Sequence, residues 1–163
     1  MGEKRVAVIT GAANGIGRAT ALELARAGYA LALCDVDAAG LEQAAAAAGA
    51  ELTQVVDVSQ AEHLEKFARA CRERYERVDV LVNNAGVLRL GGWPDLSEAD
   101  WRRLFEVNLL GVDLTTRALL PLLVASRGKV VNLGSGASLL PFPGYAAYGP
   151  VKVGVLWLSE YLR

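Results

Sequence analysis

The apolar positions of this chain alternate between two rhythms. Residues 5–10 form a continuous β-rich run with no polar alternation, and similar runs recur at 30–34, 52–56, 78–82 and 129–133. Continuous apolar runs of this length, bounded by turn residues, suit strands buried on both faces of a parallel sheet. Between them the spacing turns helical. Residues 16–27 carry apolar positions at helical intervals and stop at Gly28, a residue type favoured just past a helix end. Residues 38–48 are rich in alanine, the strongest helix former, and Gly49 closes them. Ser59 and Glu62 have the spacing of a capping box, which predicts a helix running to about Tyr75. Ser97 is placed to cap a helix from Glu98 that continues to about Ala125 with a break near Asn108, and a last helix begins near Tyr148.

Strand and helix thus alternate five times. That order predicts the α/β class: a doubly wound parallel sheet, a Rossmann-like three-layer α/β/α arrangement with right-handed crossovers. No linker or shift in composition divides the chain, so residues 1–163 read as a single domain.

Composition narrows the function by exclusion. The chain is 53% hydrophobic and carries a net charge of −1 with acids and bases interspersed. That balance disfavours a nucleic-acid binder or a polybasic membrane-surface protein. Cys34 and Cys71 make neither a disulfide framework nor a zinc spacing, which fits a reducing, cytoplasmic setting. His63 is the only histidine, so Ser-His-Asp catalysis and a histidine-rich metal site are poor expectations. Lys4-Arg5 precede an apolar run too short for a secretory signal. Met1-Gly2 lacks the Ser or Thr that myristoylation needs at position 6, where Val6 stands. Residues 104–124 are interrupted by Glu106, Asn108, Asp113 and Arg117, and read as too polar to span a bilayer.

The segment Thr10-Gly11-Ala12-Ala13-Asn14-Gly15-Ile16-Gly17 joins the first strand to the first helix. Glycines there let the backbone turn tightly and approach a pyrophosphate, while the helix N-terminus offers free N–H groups and a positive dipole. Asp35 ends the second strand near the separation at which an acid accepts hydrogen bonds from the adenosine ribose of NAD and repels the 2′-phosphate of NADP. The plainer alternative is a glycine-rich turn and an ordinary strand-end aspartate.

At this point the chain resembles the short-chain dehydrogenase/reductase family. Thr10 to Gly17 is similar to its cofactor loop, Asp57-Val58 to its adenine-contacting pair, and Asn83-Asn84-Ala85-Gly86 to its N-N-A-G motif. Asn108 resembles the family's helix asparagine, and Ser135 with Tyr148-x-x-x-Lys152 resembles its catalytic set. The likeness runs through the whole chain, although Gly134-Ser135 replaces the frequent Ser-Ser and family members usually continue through two more strands. Ser138 competes as the active serine but stands closer to Tyr148 than usual. Tyr145 lacks a lysine four residues on.

The resemblance implies an oxidoreductase that moves hydride between NAD(H) and a small-molecule carbonyl or secondary alcohol. It implies a cofactor site at Gly11, Asn14, Gly15, Ile16, Gly17, Asp35, Asp57, Val58, Asn84, Ala85, Gly86, Tyr148 and Lys152, with catalysis by Asn108, Ser135, Tyr148 and Lys152. In that scheme Lys152 holds the nicotinamide ribose and Asn108 positions a water. Tyr148 and Lys152 share a helix face, so the ammonium is expected to lower the phenol's pKa. Ser135 is expected to stabilise the substrate oxygen. Leu88, Leu90, Trp93, Leu139, Phe142 and Tyr145 follow strands four and five and read equally as pocket lining or as packed surface. The family also implies a homodimer or homotetramer built on the later helices, with Leu114, Leu119, Leu122, Trp157 and Tyr161 as apolar surface. The short C-terminus leaves two rivals: a nucleotide-binding module with little turnover, and a fragment that depends on a partner chain. The expectation for the 163-residue chain is NAD binding with weak turnover.

Overall fold

The structure, a computed structural model, describes residues 4–162; Met1-Gly2 and Arg163 lie outside the described residues. Its elements are β1 (Val6–Thr10), α1 (Gly15–Arg26), β2 (Ala30–Asp35), α2 (Ala38–Ala48), β3 (Leu52–Val55) and α3 (Ala61–Tyr75). Then come β4 (Val80–Asn83), α4 (Glu98–Phe105), a π-helical turn (Glu106–Leu110), α5 (Gly111–Ser126), β5 (Lys129–Asn132) and α6 (Tyr148–Tyr161). The five strands are parallel in the order β3-β2-β1-β4-β5. This is the expected α/β sheet. β1 is buried at every position because it has a strand on each side and helices on both faces. The edge strands β3 and β5 alternate between partly buried and exposed positions.

Two apolar cores lie on opposite faces of the sheet. One gathers Phe67, Cys71, Leu81, Leu119 and Leu123 with Val8 and Cys34; the other gathers Ile9, Ala21, Leu31, Leu33 and Leu41. Cys34 and Cys71 are free thiols in the first core. Burial raises the Cys34 thiol's pKa well above its usual value and pushes that of Cys71 up to about 12, so both stay protonated.

Most predicted boundaries shift by two residues or fewer. β4 begins at Val80, not Val78, because the Val78 N–H is already donated to the Leu122 carbonyl. The capping box at Ser59 does not form. Gln60 precedes the first turn of α3, and Ser59 instead turns its N–H and hydroxyl onto the Asp57 carboxylate at 3.0 and 2.7 Å. The charged acceptor wins over a backbone N–H. Ser97 does cap α4, reciprocally with Asp100.

The break near Asn108 is a widened π turn inside a helical rod from Glu98 to Ser126. That rod of 29 residues is long and apolar enough in composition to cross a membrane, contrary to the reading of residues 104–124 as too polar. Its buried stripe, including Leu104, Val107, Val112, Leu119 and Leu123, packs in the interior of the α/β layers, as a core helix does. Of the five apolar residues on the later helices, too numerous for one face so that some must cover the sheet, Leu119 and Leu122 lie in the core, whereas Trp157 and Tyr161 are exposed.

A buried polar chain fastens β4 to its neighbours. The Asn83 side-chain amide donates to Thr116 Oγ1 at 3.1 Å and to Asn132 Oδ1 at 2.8 Å, and Asn132 donates onward to Ser159 Oγ at 2.9 Å. One sheet residue thereby connects α5, β5 and α6. Asn83→Ala should lower unfolding stability by about 1–3 kcal/mol, since it removes two buried bonds and strands their acceptors. An unchanged denaturation midpoint in urea would show that the chain does not hold these elements.

Candidate active site

β1 and β4 are adjacent in the sheet, yet their following helices lie on opposite faces, which opens a crevice at their carboxyl ends. Open α/β sheets bind ligands at such switch points. The crevice is a cleft of about 380 Å³ lined by Gly11, Asn14, Ile16, Asp35, Asp57, Val58, Asn84, Ala85 and Gly86, among others. The structure thus brings together nine of the expected cofactor residues.

The loop between β1 and α1 is shaped by contact with the segment after β4. Thr10 Oγ1 accepts the Asn84 and Ala85 N–H groups at 3.1 and 3.0 Å, and Asn84 Nδ2 donates to the Thr10 and Gly11 carbonyls at 3.0 and 2.8 Å. At Gly11 (φ +63°) a Cβ would lie 2.7 Å from Ala85 Cα, and at Gly17 one would lie 2.1 Å from the Gly11 carbonyl oxygen. Neither position admits another residue without displacing backbone. Gly17 supports the loop from behind and Gly15 adopts φ +51°, so these two shape the cleft rather than line it. Asn14 makes no side-chain cap to the first turn of α1, and that turn holds no acidic residue. Its N–H groups are available to an anion.

Asp35 has two backbone bonds. Oδ2 accepts the Ala13 N–H at 2.9 Å and Oδ1 accepts the Asp37 N–H at 3.0 Å. A carboxylate has roughly four lone-pair sites, so acceptor capacity remains for ribose hydroxyls. At the other side Asp57 holds Ser59 as described and accepts from Arg103 Nη1 at 3.2 Å. Burial alone would raise the Asp57 carboxyl, but the Ser59 hydrogen bonds and the Arg103 charge together hold it below the usual range. Arg103, Val36, Asp37, Val56, Val87 and Val107 also line the cleft without having been singled out from the sequence.

The second group lies after β5. The Ser135 side chain faces the Tyr148 phenol closely enough to favour its ionised form, while its Oγ accepts the Ala137 N–H at 3.2 Å. Ser138 does not compete for that place, because its hydroxyl donates to the Ser135 carbonyl. Lys152 is buried; its Nζ donates to the Leu133 carbonyl at 2.7 Å and stands 5.7 Å from the centre of the Tyr148 ring. Burial lowers the Lys152 pKa. Burial raises that of Tyr148, the Ser135 bond pulls it down, and Tyr145 adds to the rise, with a net upward shift. The expected lowering by Lys152 is therefore not present: the ammonium faces a carbonyl, and desolvation dominates.

Asn108 is not brought against Lys152 through its side chain. Its Oδ1 accepts the Val87 N–H at 3.1 Å, and its Nδ2 donates to the Val87 and Leu104 carbonyls, both at 3.0 Å. A Cβ at Gly86 would lie 2.7 Å from Asn108 Oδ1, so the glycine permits this docking. The apolar residues after β4 and β5 are not core: Leu88, Leu90, Trp93, Leu139 and Phe142 are exposed. The two loops carrying them are joined where the Gly91 N–H donates to the Gly144 carbonyl at 2.8 Å. Phe142, Tyr145 and Tyr148 stack in edge-on or tilted steps of 5.9 and 5.8 Å.

Comparison with known proteins agrees with this geometry. Residues 5–163 match the model of the short chain dehydrogenase family. The (2S)-[(R)-hydroxy(phenyl)methyl]succinyl-CoA dehydrogenase subunit BbsD of Thauera aromatica is 36% identical, over 98% of this chain and 66% of its own. A 3-oxoacyl-[acyl-carrier-protein] reductase of Synechocystis is 34% identical, over 96% and 66%. The chain thus spans about two thirds of the length of these curated relatives. Among solved structures, an alcohol dehydrogenase of Thermococcus sibiricus complexed with 5-hydroxy-NADP superposes with a TM-score of 0.92 at 38% identity, over 98% of this chain and 70% of that one. A short chain dehydrogenase/reductase of Burkholderia phymatum in complex with NAD gives 0.92 at 37%, over 98% and 59%. By its sequence motifs, its sheet and these matches, the chain belongs to the short-chain dehydrogenase/reductase family of oxidoreductases.

Proposed function

We propose that this chain binds NAD in the cleft between β1 and β4 and takes part in hydride transfer with a small-molecule carbonyl or secondary alcohol, Tyr148 serving as acid and base. The carrying observation is that Ser135, Tyr148 and Lys152 gather on the carboxyl edge of the sheet where the glycine loop, Asp35 and Asn84-Ala85-Gly86 form the cleft. The residues present fit the dinucleotide, because the first turn of α1 has neither an acidic residue nor a side-chain cap on its N–H groups, and the Asp35 carboxylate lines the same cleft as Gly11.

When bound, NAD supplies or accepts the hydride. The first turn of α1 binds the pyrophosphate through its N–H groups. Asp35 accepts from the adenosine ribose, and Asp57 and Val58 bound the adenine end. Lys152 spends one N–H on the Leu133 carbonyl and keeps two for the nicotinamide ribose. The Ser135 hydroxyl and the Tyr148 phenol hold the substrate oxygen, and Tyr148 keeps its proton at Oη until that oxygen takes it. Asn108, with both side-chain ends committed to Val87 and Leu104, positions the β4 loop. Exposed Trp157, Tyr161, Leu120 and Val124 supply apolar surface for a homodimer or homotetramer.

A second reading, a nucleotide-binding module with little turnover, draws on the exposure of Leu139 and Trp93, which leaves the substrate side open to water. NAD titration with a turnover assay on carbonyl and alcohol panels separates the two. Binding with turnover supports the enzyme, and binding alone supports the module.

Three outcomes test the site. Tyr148→Phe should cut turnover by at least about 10²-fold with nucleotide affinity little changed, whereas Tyr145→Phe should be mild; a larger effect at Tyr145 places the acid/base wrongly. NAD should bind more tightly than NADP, and Asp35→Ala should narrow the gap by removing a like charge from the 2′-phosphate; tighter NADP binding by the wild type contradicts the assignment. Finally, phenolate absorbance of wild type minus Tyr148→Phe, titrated without nucleotide, should show Tyr148 ionising above the ordinary value of about 10. Ser135→Ala should move it higher still, because the hydroxyl bond favours the phenolate. The proton donor is then present at neutral pH and lost only as pH rises through that point. A midpoint below the ordinary value would mean that Lys152 governs the phenol after all.

A further inference from the structure

We propose that Arg103 is a positioning residue for the adenine end of the nucleotide, acting through the Asp57 carboxylate; this rests on the reading of the cleft as an NAD site. Asp57 is fixed from three directions. Its N–H donates to His63 Nδ1 at 3.2 Å, which sets the backbone after β3. Its Oδ1 is filled by the N–H and hydroxyl of Ser59 at 3.0 and 2.7 Å. Its Oδ2 accepts from Arg103 Nη1 at 3.2 Å, and the same nitrogen donates to Ser59 Oγ at 3.2 Å.

With Oδ1 saturated by Ser59, the carboxylate's remaining acceptor capacity lies on Oδ2, where one lone-pair site faces Arg103 and another is left for an incoming donor. Adenine offers such a donor in its exocyclic amine. The guanidinium lines the same cleft, so it fixes the direction of that lone pair and keeps the carboxylate anionic. Arg103 comes from α4, 46 positions away in the sequence, and among the described residues is the one cation lining the cleft. The adjacent Leu104 is buried against Ala147 and Val151 near Tyr148. The helix that steadies the adenine end is thus the helix on which the Tyr148 segment packs.

Affinities of wild type, Arg103→Ala and Arg103→Lys for AMP, for nicotinamide mononucleotide and for NAD, measured by calorimetry, test this. Arg103→Ala should weaken AMP and NAD roughly tenfold and leave nicotinamide mononucleotide unchanged. Arg103→Lys should recover part of the loss, since it keeps the charge but not the fork. In an Asp57→Asn background Arg103→Ala should add less than about twofold, because the two act as one unit. An equal loss for both mononucleotides would reveal a general structural role and overturn the inference. So would wild-type AMP affinity in Arg103→Ala, or full additivity with Asp57→Asn; these outcomes leave the NAD reading standing. A wild-type chain that binds neither AMP nor NAD overturns both.

Discussion

The carboxyl edge of the sheet depends on how closely the backbone after β1 approaches the backbone after β4. Thr10 and Gly11 accept four hydrogen bonds from Asn84 and Ala85 across that gap, and Gly11 and Gly17 remove every atom that would widen it. Because these bonds satisfy the polar backbone of the loop internally, the first turn of α1 is left to face outward. The same contact places Ala85 and Gly86 beside the cleft, and Gly86 in turn admits the Asn108 side chain. One clasp between two loops thereby sets the cleft and the entry to the π turn together.

The fold was legible because parallel strands covered on both faces leave continuous apolar runs, and Gly28 and Gly49 mark helix ends by residue type alone. Both do adopt left-handed backbone. What misled was competition between local options. Ser59 and Glu62 match a cap, but Asp57 lies two residues upstream and offers a charged acceptor that the pattern ignores. The break at Asn108 was visible, yet its form was not, since a π turn depends on a side chain reaching the carbonyl of Leu104 and the backbone of Val87. Arg103 left no signal: on a charged helix face it looks like any solvated arginine, and only the fold brings it to Asp57. The direction of the Tyr148 shift was misjudged for a related reason. Spacing reveals that a lysine shares its face, but burial of the phenol and the turn of the ammonium toward Leu133 are properties of the packed state.

These opposing influences leave the Tyr148 phenol protonated at neutral pH. The net rise keeps the proton in place but makes the phenol a weaker acid and, in the reverse direction, a poorer source of phenolate base. Ser135 limits the rise through its hydrogen bond, so the serine serves the acid as well as any oxygen placed before it. Lys152, buried and anchored, keeps its ammonium from wandering across the site, at the cost of a desolvation that the Leu133 carbonyl only partly offsets.

Asp35 carries a consequence for how such a chain can change over time. In the proposed reading its carboxylate would tell one nucleotide from another by charge, but it also holds the Ala13 N–H at the start of the turn into α1 and the Asp37 N–H at the start of α2. Discrimination and scaffolding would thus be inherited as one trait. A lineage drifting toward a phosphorylated cofactor cannot simply discard the acid. It must first acquire another acceptor for those two amides, and each intermediate in that drift carries a loosened loop. A cofactor preference set by Asp35 would then be conservative for a mechanical reason, independent of any advantage the preference itself confers.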